Sequence, residues 1–144
     1  MKIGTADDEY ETKPVHHLIK KYLKLINLTP KEFWESKEIP IVNLRFIFLA
    51  AIHNFNSNII TLDDLSTIAN VLYWPSSTNK WANPSKFDEI DYELANLLMW
   101  TSELTFYNWQ EQKNKKSKKT SKVILKDIKI YYEKHKEVIK PYLK

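Results

Sequence analysis

The sequence IVNLRFIFLAAIHNF occupies residues 41–55 and is apolar on nearly every side of the helix that it would form. A helix with apolar side chains all round is normally surrounded by other helices. A run of this length exceeds that of an ordinary buried strand, which favours a helix. We therefore expect residues 41–55 to form the central helix of an all-α domain.

Amphipathic patterns on both sides of this segment predict further helices. From about Thr12 to Ile26, apolar residues recur at helical spacing, with lysines on the opposite face. Thr29 and Glu32 have the spacing of a capping box, in which each side chain bonds the backbone N–H of the other residue, and they predict a short helix through Trp34. The remaining predicted helices cover residues 61–72, about 86–112 and about 122–140.

These patterns predict one compact domain of five to six helices over the 144 residues, a length that suits a single core. Residues 1–11 are acidic and polar and are expected to fray. Two stretches interrupt the predicted helices. They are an aromatic loop at 73–87, which contains two prolines, and a basic linker or helix extension at 113–122.

The composition excludes several kinds of site. The chain contains no cysteine, which excludes disulfides, cysteine-based zinc sites and thiol catalysis. A single glycine, Gly4, is too little for the phosphate-binding loops and nucleophile elbows that need positive φ or a close backbone approach. The histidines lack the spacing of a helical metal site. We therefore expect no metal and no other cofactor, and the sequence favours a non-enzymatic protein over an enzyme.

The hydropathy pattern predicts neither a targeting segment nor a membrane span. The acidic start lacks the apolar region of a signal peptide. The longest apolar run, at 41–52, is interrupted by Asn43 and Arg45 and is too short to cross a bilayer. We expect a cytoplasmic protein that does not bind membranes.

Charge is distributed unevenly along the chain. Residues 1–112 carry ten basic and fifteen acidic side chains, whereas residues 113–144 carry twelve basic and three acidic ones. This asymmetry indicates a basic arm on an acidic body. The arm could bind the phosphates of a nucleic acid, pair with an acidic protein, fold back on the body or stay in solvent. Its candidate binding residues are Lys113, Lys115, Lys116, Lys118, Lys119 and Lys122.

Five tryptophans make the chain rich in a residue type that often anchors protein interfaces. Aromatic side chains concentrate at 73–87, where a loop tryptophan either fixes the loop to the core or contacts a partner. Trp34, Trp100 and Trp109 fall on predicted helices, and we interpret them as residues of the core or its edge. The candidate protein-binding residues are Tyr73, Trp74, Trp81 and Phe87.

An arginine and a histidine lie on the central apolar helix. Arg45 is the only arginine of the chain, and seven residues separate it from His53. This pair resembles the active-site pattern of HEPN-type ribonucleases, which are small all-helical enzymes that need no metal, although the spacing here is longer. The resemblance implies a ribonuclease in which Arg45 stabilises charge and His53 is the general acid–base. The alternative is structural, with Arg45 paired to a carboxylate and His53 hydrogen-bonded within the core.

A second motif lies after the central helix. Residues 61–73 have the apolar and small side chains of the first helix and turn of a helix-turn-helix. Trp74 and Pro75 then occupy the place where a recognition helix would begin, so the motif at 61–81 would be degenerate.

Three hypotheses for the function remain open. The first is a non-enzymatic protein-binding module, such as an inhibitor, an immunity or antitoxin-type protein or an accessory subunit. The second is a nucleic-acid-binding protein that acts through residues 113–122, and the third is the ribonuclease. The apolar stripe of the last predicted helix must also dock, either on this chain or on a second copy in a homo-oligomer.

Overall fold

The computed structural model describes residues 6–34, 41–77, 92–113 and 120–142. Within these ranges the chain forms α-helices and single-turn 3₁₀ helices and contains no strand, which confirms the predicted all-α fold. The α-helices are α1 (Ala6–Leu25), α2 (Pro30–Trp34), α3 (Ile41–Asn56), α4 (Leu62–Ser77), α5 (Tyr92–Ser102), α6 (Leu104–Gln112) and α7 (Ser121–His135), and the 3₁₀ turns after α7 are Lys136–Val138 and Lys140–Tyr142.

The central position predicted for residues 41–55 is confirmed. Every side chain of α3 from Phe46 to Ile52 is buried, and helices α1, α4 and α7 pack against α3. Helix α5 lies on α4 and α7, and α6 contacts α4, α5 and α7. Burying one large apolar side chain stabilises a fold by about 1.5–3 kcal/mol, so α3 is the largest single source of apolar stabilisation among the described helices.

Capping boxes begin two of the helices. At α2, the Thr29 hydroxyl accepts from the Glu32 N–H at 3.1 Å, and the Glu32 carboxylate accepts from the Thr29 N–H at 3.2 Å. Thr61 and Asp64 form the same reciprocal pair at the start of α4, at 3.1 and 3.0 Å. Both helix starts could be predicted from the sequence because the hydrogen-bonding partners lie only three residues apart.

The helix predicted over residues 86–112 is wrong as one continuous element, because it breaks between α5 and α6 at Glu103. The cause lies on α4, where the Ser66 hydroxyl donates to the Ser102 carbonyl at 3.0 Å and accepts from the Thr105 N–H at 3.5 Å. The Ser66 hydroxyl thereby occupies a backbone carbonyl and a backbone N–H that a continuous helix would use for its own hydrogen bonds. Helix α6 is thereby an independent short element that α4 holds in place.

The irregular stretch predicted at 73–87 begins later than expected. Residues 73–77 belong to α4, which passes through Pro75 and ends at Ser77; residues 78–91 lie outside the described residues. The apolar side of α4 packs against α1, α3, α5 and α6, and this burial outweighs the local preference against a helix before proline. A continuous α4 also places no turn near Asn70, so the helix-turn-helix interpretation is wrong.

Helix α1 begins at Ala6, which corrects the expectation that the helix starts near Thr12. Acidic side chains follow Ala6 immediately in the sequence, at Asp7, Asp8 and Glu9. Negative charge in the first turn favours the positive end of the helix dipole.

The last helix docks on its own chain, against α3, α5 and α6. Ile124, Ile128 and Tyr131 of the predicted stripe are buried. Val138 and Tyr142, which extend the same stripe in an ideal α-helix, are exposed because the chain tightens into 3₁₀ turns after His135.

Candidate interaction site

The aromatic residues predicted to bind a partner are only partly described. Tyr73 lies in α4 and packs, half-buried, against the core. Trp74 lies in the same helix, but its side chain, like Trp81 and Phe87 as a whole, falls outside the described residues. The core thus covers part of Tyr73, and the protein-binding role of the four residues remains a prediction.

Two aromatic side chains of α6 are exposed, as is Tyr142 in the last 3₁₀ turn. Phe106 is 53% exposed and Trp109 is 47% exposed, and their rings stack with centroids 6.2 Å apart and planes 25° apart. The interpretation of Trp109 as a residue of the core or its edge is therefore wrong. Trp100 agrees with that interpretation, since it packs half-buried against the core with its ring 6.1 Å from that of Tyr107.

Helical spacing explains why α6 exposes these two rings. The buried residues Leu104 and Tyr107 define the inner side of the helix, which faces α4 and α7. Phe106, Trp109 and Lys113 follow one another at intervals of three and four residues, so they share one side of the helix. We call these three residues the aromatic face of α6.

Acidic groups lie near the N-terminal end of this face. The Asp63 carboxylate accepts a hydrogen bond from the Thr105 hydroxyl at 2.9 Å, and the Glu103 carboxylate accepts one from the Tyr107 hydroxyl at 2.8 Å. Burial, followed by the hydrogen bond to Glu103 and the charge of that carboxylate, raises the pKa of Tyr107. Both carboxylates are thus already engaged with neighbouring side chains.

The C-terminal end of the face is basic. Lys113 is exposed, and Glu111, two residues earlier, accepts from the Ser121 N–H at the start of α7, at 3.2 and 3.3 Å. This bond brings the end of α6 next to the beginning of α7, where Lys122 is exposed. No described carboxylate forms an ion pair with Lys113 or Lys122, so these two positive charges lack a partner within the described part of the chain.

The basic site predicted at 113–122 is also only partly described, because Lys115, Lys116, Lys118 and Lys119 lie outside the described residues. The described part of α7 continues the positive charge. Lys122, Lys126 and Lys129 are exposed at helical spacing on the side opposite to the buried stripe. We call these three residues the lysine stripe of α7.

Further along, the lysines of the C-terminal region are paired with glutamates. Lys134 contacts Glu93 of α5 at 3.3 Å, while Lys136 bonds Glu133 at 2.8 Å. The contact between Lys136 and Glu133 lowers the pKa of Glu133 and raises the pKa of Lys136. The Lys134–Glu93 contact is one place where the basic region meets the acidic body, but both side chains are exposed, and such pairs stabilise by only about 0–1 kcal/mol.

Arg45 and His53 point from α3 to two tyrosines of α7. The Arg45 Nε donates to the Tyr131 hydroxyl at 3.2 Å, and the His53 Nδ1 lies 3.0 Å from the Tyr132 hydroxyl. Eight residues of helix separate them by about 12 Å along the axis. The two side chains are therefore engaged at different points of the α3–α7 contact, an arrangement that fits the structural alternative.

A further polar contact closes the junction of α3, α5 and α7. The His135 ring lies 4.4 Å from that of Tyr131, and its buried Nε2 is 3.5 Å from the Glu93 Oε1.

Among the described residues, no group of three or more histidine, aspartate or glutamate side chains has the geometry to hold a metal ion. The described helices also include none with the length and apolarity that a membrane crossing requires.

Comparison with protein-family models, with characterised proteins and with solved structures finds no match for this chain. The aromatic face of α6 and the lysine stripe of α7 are therefore candidate sites on physical grounds alone. Phe106 and Trp109 were not predicted as site residues, although their positions in the sequence carry a signal. Both lie off the apolar stripe formed by Leu94, Leu97, Thr101 and Leu104, where an amphipathic helix normally carries polar side chains.

Proposed function

We propose that this protein is a non-enzymatic protein-binding module, of the inhibitor, immunity, antitoxin or accessory-subunit kind, and that it binds its partner through the aromatic face of α6. The observation that carries the proposal is the exposed, stacked pair of Phe106 and Trp109. Interface hot spots are enriched in tryptophan and other large side chains that a partner can cover completely.

The energetics favour this pair as an anchor. Phenylalanine and tryptophan side chains each bury about 150–250 Å² when fully covered, and about half of each ring is exposed here. Covering the exposed halves would remove roughly 200 Å² from water, which is equivalent to about 5 kcal/mol before the costs of association.

The presentation of the pair is rigid. Leu104 and Tyr107 fix the inner side of α6, and the Ser66 and Asp63 side chains hold its first turn. A partner would therefore lose little free energy in ordering this surface, because the stacked rings already restrict each other.

Affinity capture from a lysate of the source organism tests the proposal. The wild-type protein is compared with a Phe106→Ala, Trp109→Ala double variant, at high salt and after nuclease treatment. Val42→Ala with Ile59→Ala is the matched control, because these two side chains are also exposed, at 56% and 65%, but lie elsewhere on the surface. We expect a discrete protein with the wild type and the control only. Recovery of the same proteins with all three would contradict the proposal.

A second candidate is nucleic-acid binding, and the lysine stripe of α7 favours it. Its three lysines span seven residues, or about 10 Å, along one exposed side. Such a stripe could contact consecutive phosphates, although lysines supply point charges without reading bases.

Salt dependence tests this candidate. Replacing the three lysines of the stripe by glutamine should reduce the slope of log affinity against log salt by about 2–3 for an oligonucleotide. The matched control carries the same charge change on α1, at the exposed Lys20, Lys21 and Lys24. If both triple variants lose the same affinity, the effect comes from net charge and the stripe is not the binding site.

A further inference from the structure

We infer that the partner docks on the aromatic face of α6 through an acidic protein segment that also carries a large apolar side chain. This inference rests on the proposed function and specifies the chemistry of the partner. The apolar side chain covers Phe106 and Trp109, and the carboxylates of the segment meet Lys113 and the beginning of α7.

The first argument is the polarity of the face. The rings occupy its middle, the engaged carboxylates of Asp63 and Glu103 lie near one end, and the exposed Lys113 lies at the other. An acidic group would be repelled at the Glu103 end and attracted at the Lys113 end. The charges therefore set the direction in which the segment lies along α6.

The second argument is the state of the positive charges. Lys134 and Lys136, in the second half of the C-terminal region, are paired with glutamates of this chain. Lys113 and Lys122 have no such partner among the described carboxylates, and Glu111 between them is engaged with the Ser121 N–H. Lys113 at the end of α6 and Lys122 at the beginning of α7 are therefore the positive charges that the carboxylates of a partner would complement.

A protein segment suits the face better than a nucleic acid does. The aromatic face holds two large rings and a single lysine, so apolar contact supplies most of its binding energy. Backbone phosphates would need several positive charges along the same line, and these lie instead on the lysine stripe of α7.

A second copy of this chain suits the face less well than an acidic partner. Next to its own aromatic face, each copy would offer Lys113 the described carboxylates of Glu103 and Asp63, and these already accept hydrogen bonds from Tyr107 and Thr105. Two copies would also bring two sets of unpaired lysines to one interface.

Selection from a display library of random short peptides on the purified full-length protein tests the inference. We expect the selected peptides to be enriched in aspartate and glutamate and to contain a large apolar residue. Their affinity should fall at least about tenfold in the Phe106→Ala, Trp109→Ala double variant and several-fold in Lys113→Gln, and it should weaken as salt rises. Val42→Ala with Ile59→Ala, and Lys24→Gln for the charge, should bind as the wild type does.

The other outcomes separate the two proposals. Neutral or basic peptides that still require Phe106 and Trp109 would overturn the acidic partner and leave the docking surface intact. Absence of selected peptides, or peptides indifferent to the α6 variants, would overturn both. A single-stranded oligonucleotide could also bind more tightly than the selected peptides and depend on the same two rings. That result would identify a nucleic acid, and not a protein segment, as the ligand of the face. Sedimentation equilibrium showing a dimer that Trp109→Ala dissociates would replace the protein segment by a second copy.

Discussion

Helices α3 and α6 both carry aromatic side chains, but they place them differently. The rings of Phe46 and Phe48 on α3 are buried, and its polar residues Arg45 and His53 meet tyrosines of α7. Helix α6 buries Tyr107, yet leaves the rings of Phe106 and Trp109 half in solvent. Side chains that hold a fold together have to be covered by it, so the buried rings of α3 contribute more to stability than the half-exposed rings on the outer side of α6.

The largest expected difference between the two helices is in stability. Phe48 is fully buried and its ring lies 6.2 Å from that of Tyr131. Phe48→Ala should lower the free energy of unfolding by about 3–5 kcal/mol, because it removes apolar contacts and leaves a cavity. Phe106→Ala should cost only about 1–2 kcal/mol, since half of that ring is already in water. Urea denaturation followed by circular dichroism measures both, and equal losses would place Phe106 in the core.

The next largest losses in the free energy of unfolding are expected from the polar contacts of α3. Tyr131→Phe removes a buried hydroxyl that accepts from the Arg45 guanidinium, and it should cost about 1.5–3 kcal/mol, the range for hydrogen bonds to charged groups. Tyr132→Phe removes a half-buried contact with His53 and should cost about 0.5–1.5 kcal/mol. The same denaturation measurement compares the two. A larger loss at Tyr132 would mean that the bond to Arg45 does not dominate the α3–α7 contact.

Much of the fold was predictable because its signals are local. The apolar character of residues 41–55 gave the central helix, the pair Thr29–Glu32 gave the start of α2, and the helix predicted from residue 61 agrees with the start of α4. Each of these signals depends on residues within one or two turns of each other. The buried stripe through Leu94 and Leu97 was also correct on both sides of the break at Glu103, since the periodicity survives a short interruption.

The features that were not predictable depend on distant residues. The break between α5 and α6 comes from Ser66, whose partner Ser102 lies 36 residues away. The extension of α4 through Pro75 results from packing against other helices. For the candidate site, the sequence favoured an aromatic loop over the off-stripe pair of Phe106 and Trp109. The solvent exposure of these two rings could not be predicted from the sequence, because it depends on which helices cover α6.

Tyr22 offers a test that depends on pH. Its hydroxyl accepts from the Asn54 amide of α3 at 2.7 Å, and burial raises its pKa above the ordinary value of 10.0, with the charge of Asp64 adding to the increase. A raised pKa means that the folded state holds this proton more tightly than the unfolded state does. The stabilisation is therefore present below about pH 10 and is lost as the pH rises through the pKa of the folded state.

Tyr22→Phe should cost about 1 kcal/mol at neutral pH through the lost hydrogen bond. The variant should also show a shallower loss of stability above pH 10 than the wild type, because one alkaline titration linked to folding has been removed. Urea denaturation at neutral and alkaline pH measures both effects. Parallel alkaline profiles of variant and wild type would show that the Tyr22 proton does not contribute.

The smallest expected effect concerns the inner side of α6. The Glu111 carboxylate accepts from the Ser121 N–H, at the positive end of the α7 dipole. Glu111→Gln keeps an acceptor oxygen but removes the charge, and it should cost about 0.3–1 kcal/mol at low salt and less at high salt, because ions screen the interaction. Glu137→Gln is the matched control, since it makes the same charge change at the exposed pair with Lys140. A cost at Glu111 that exceeds the control only at low salt would show that α6 supports α7 electrostatically through its inner side. Identical costs would confine the structural role of α6 to its apolar contacts.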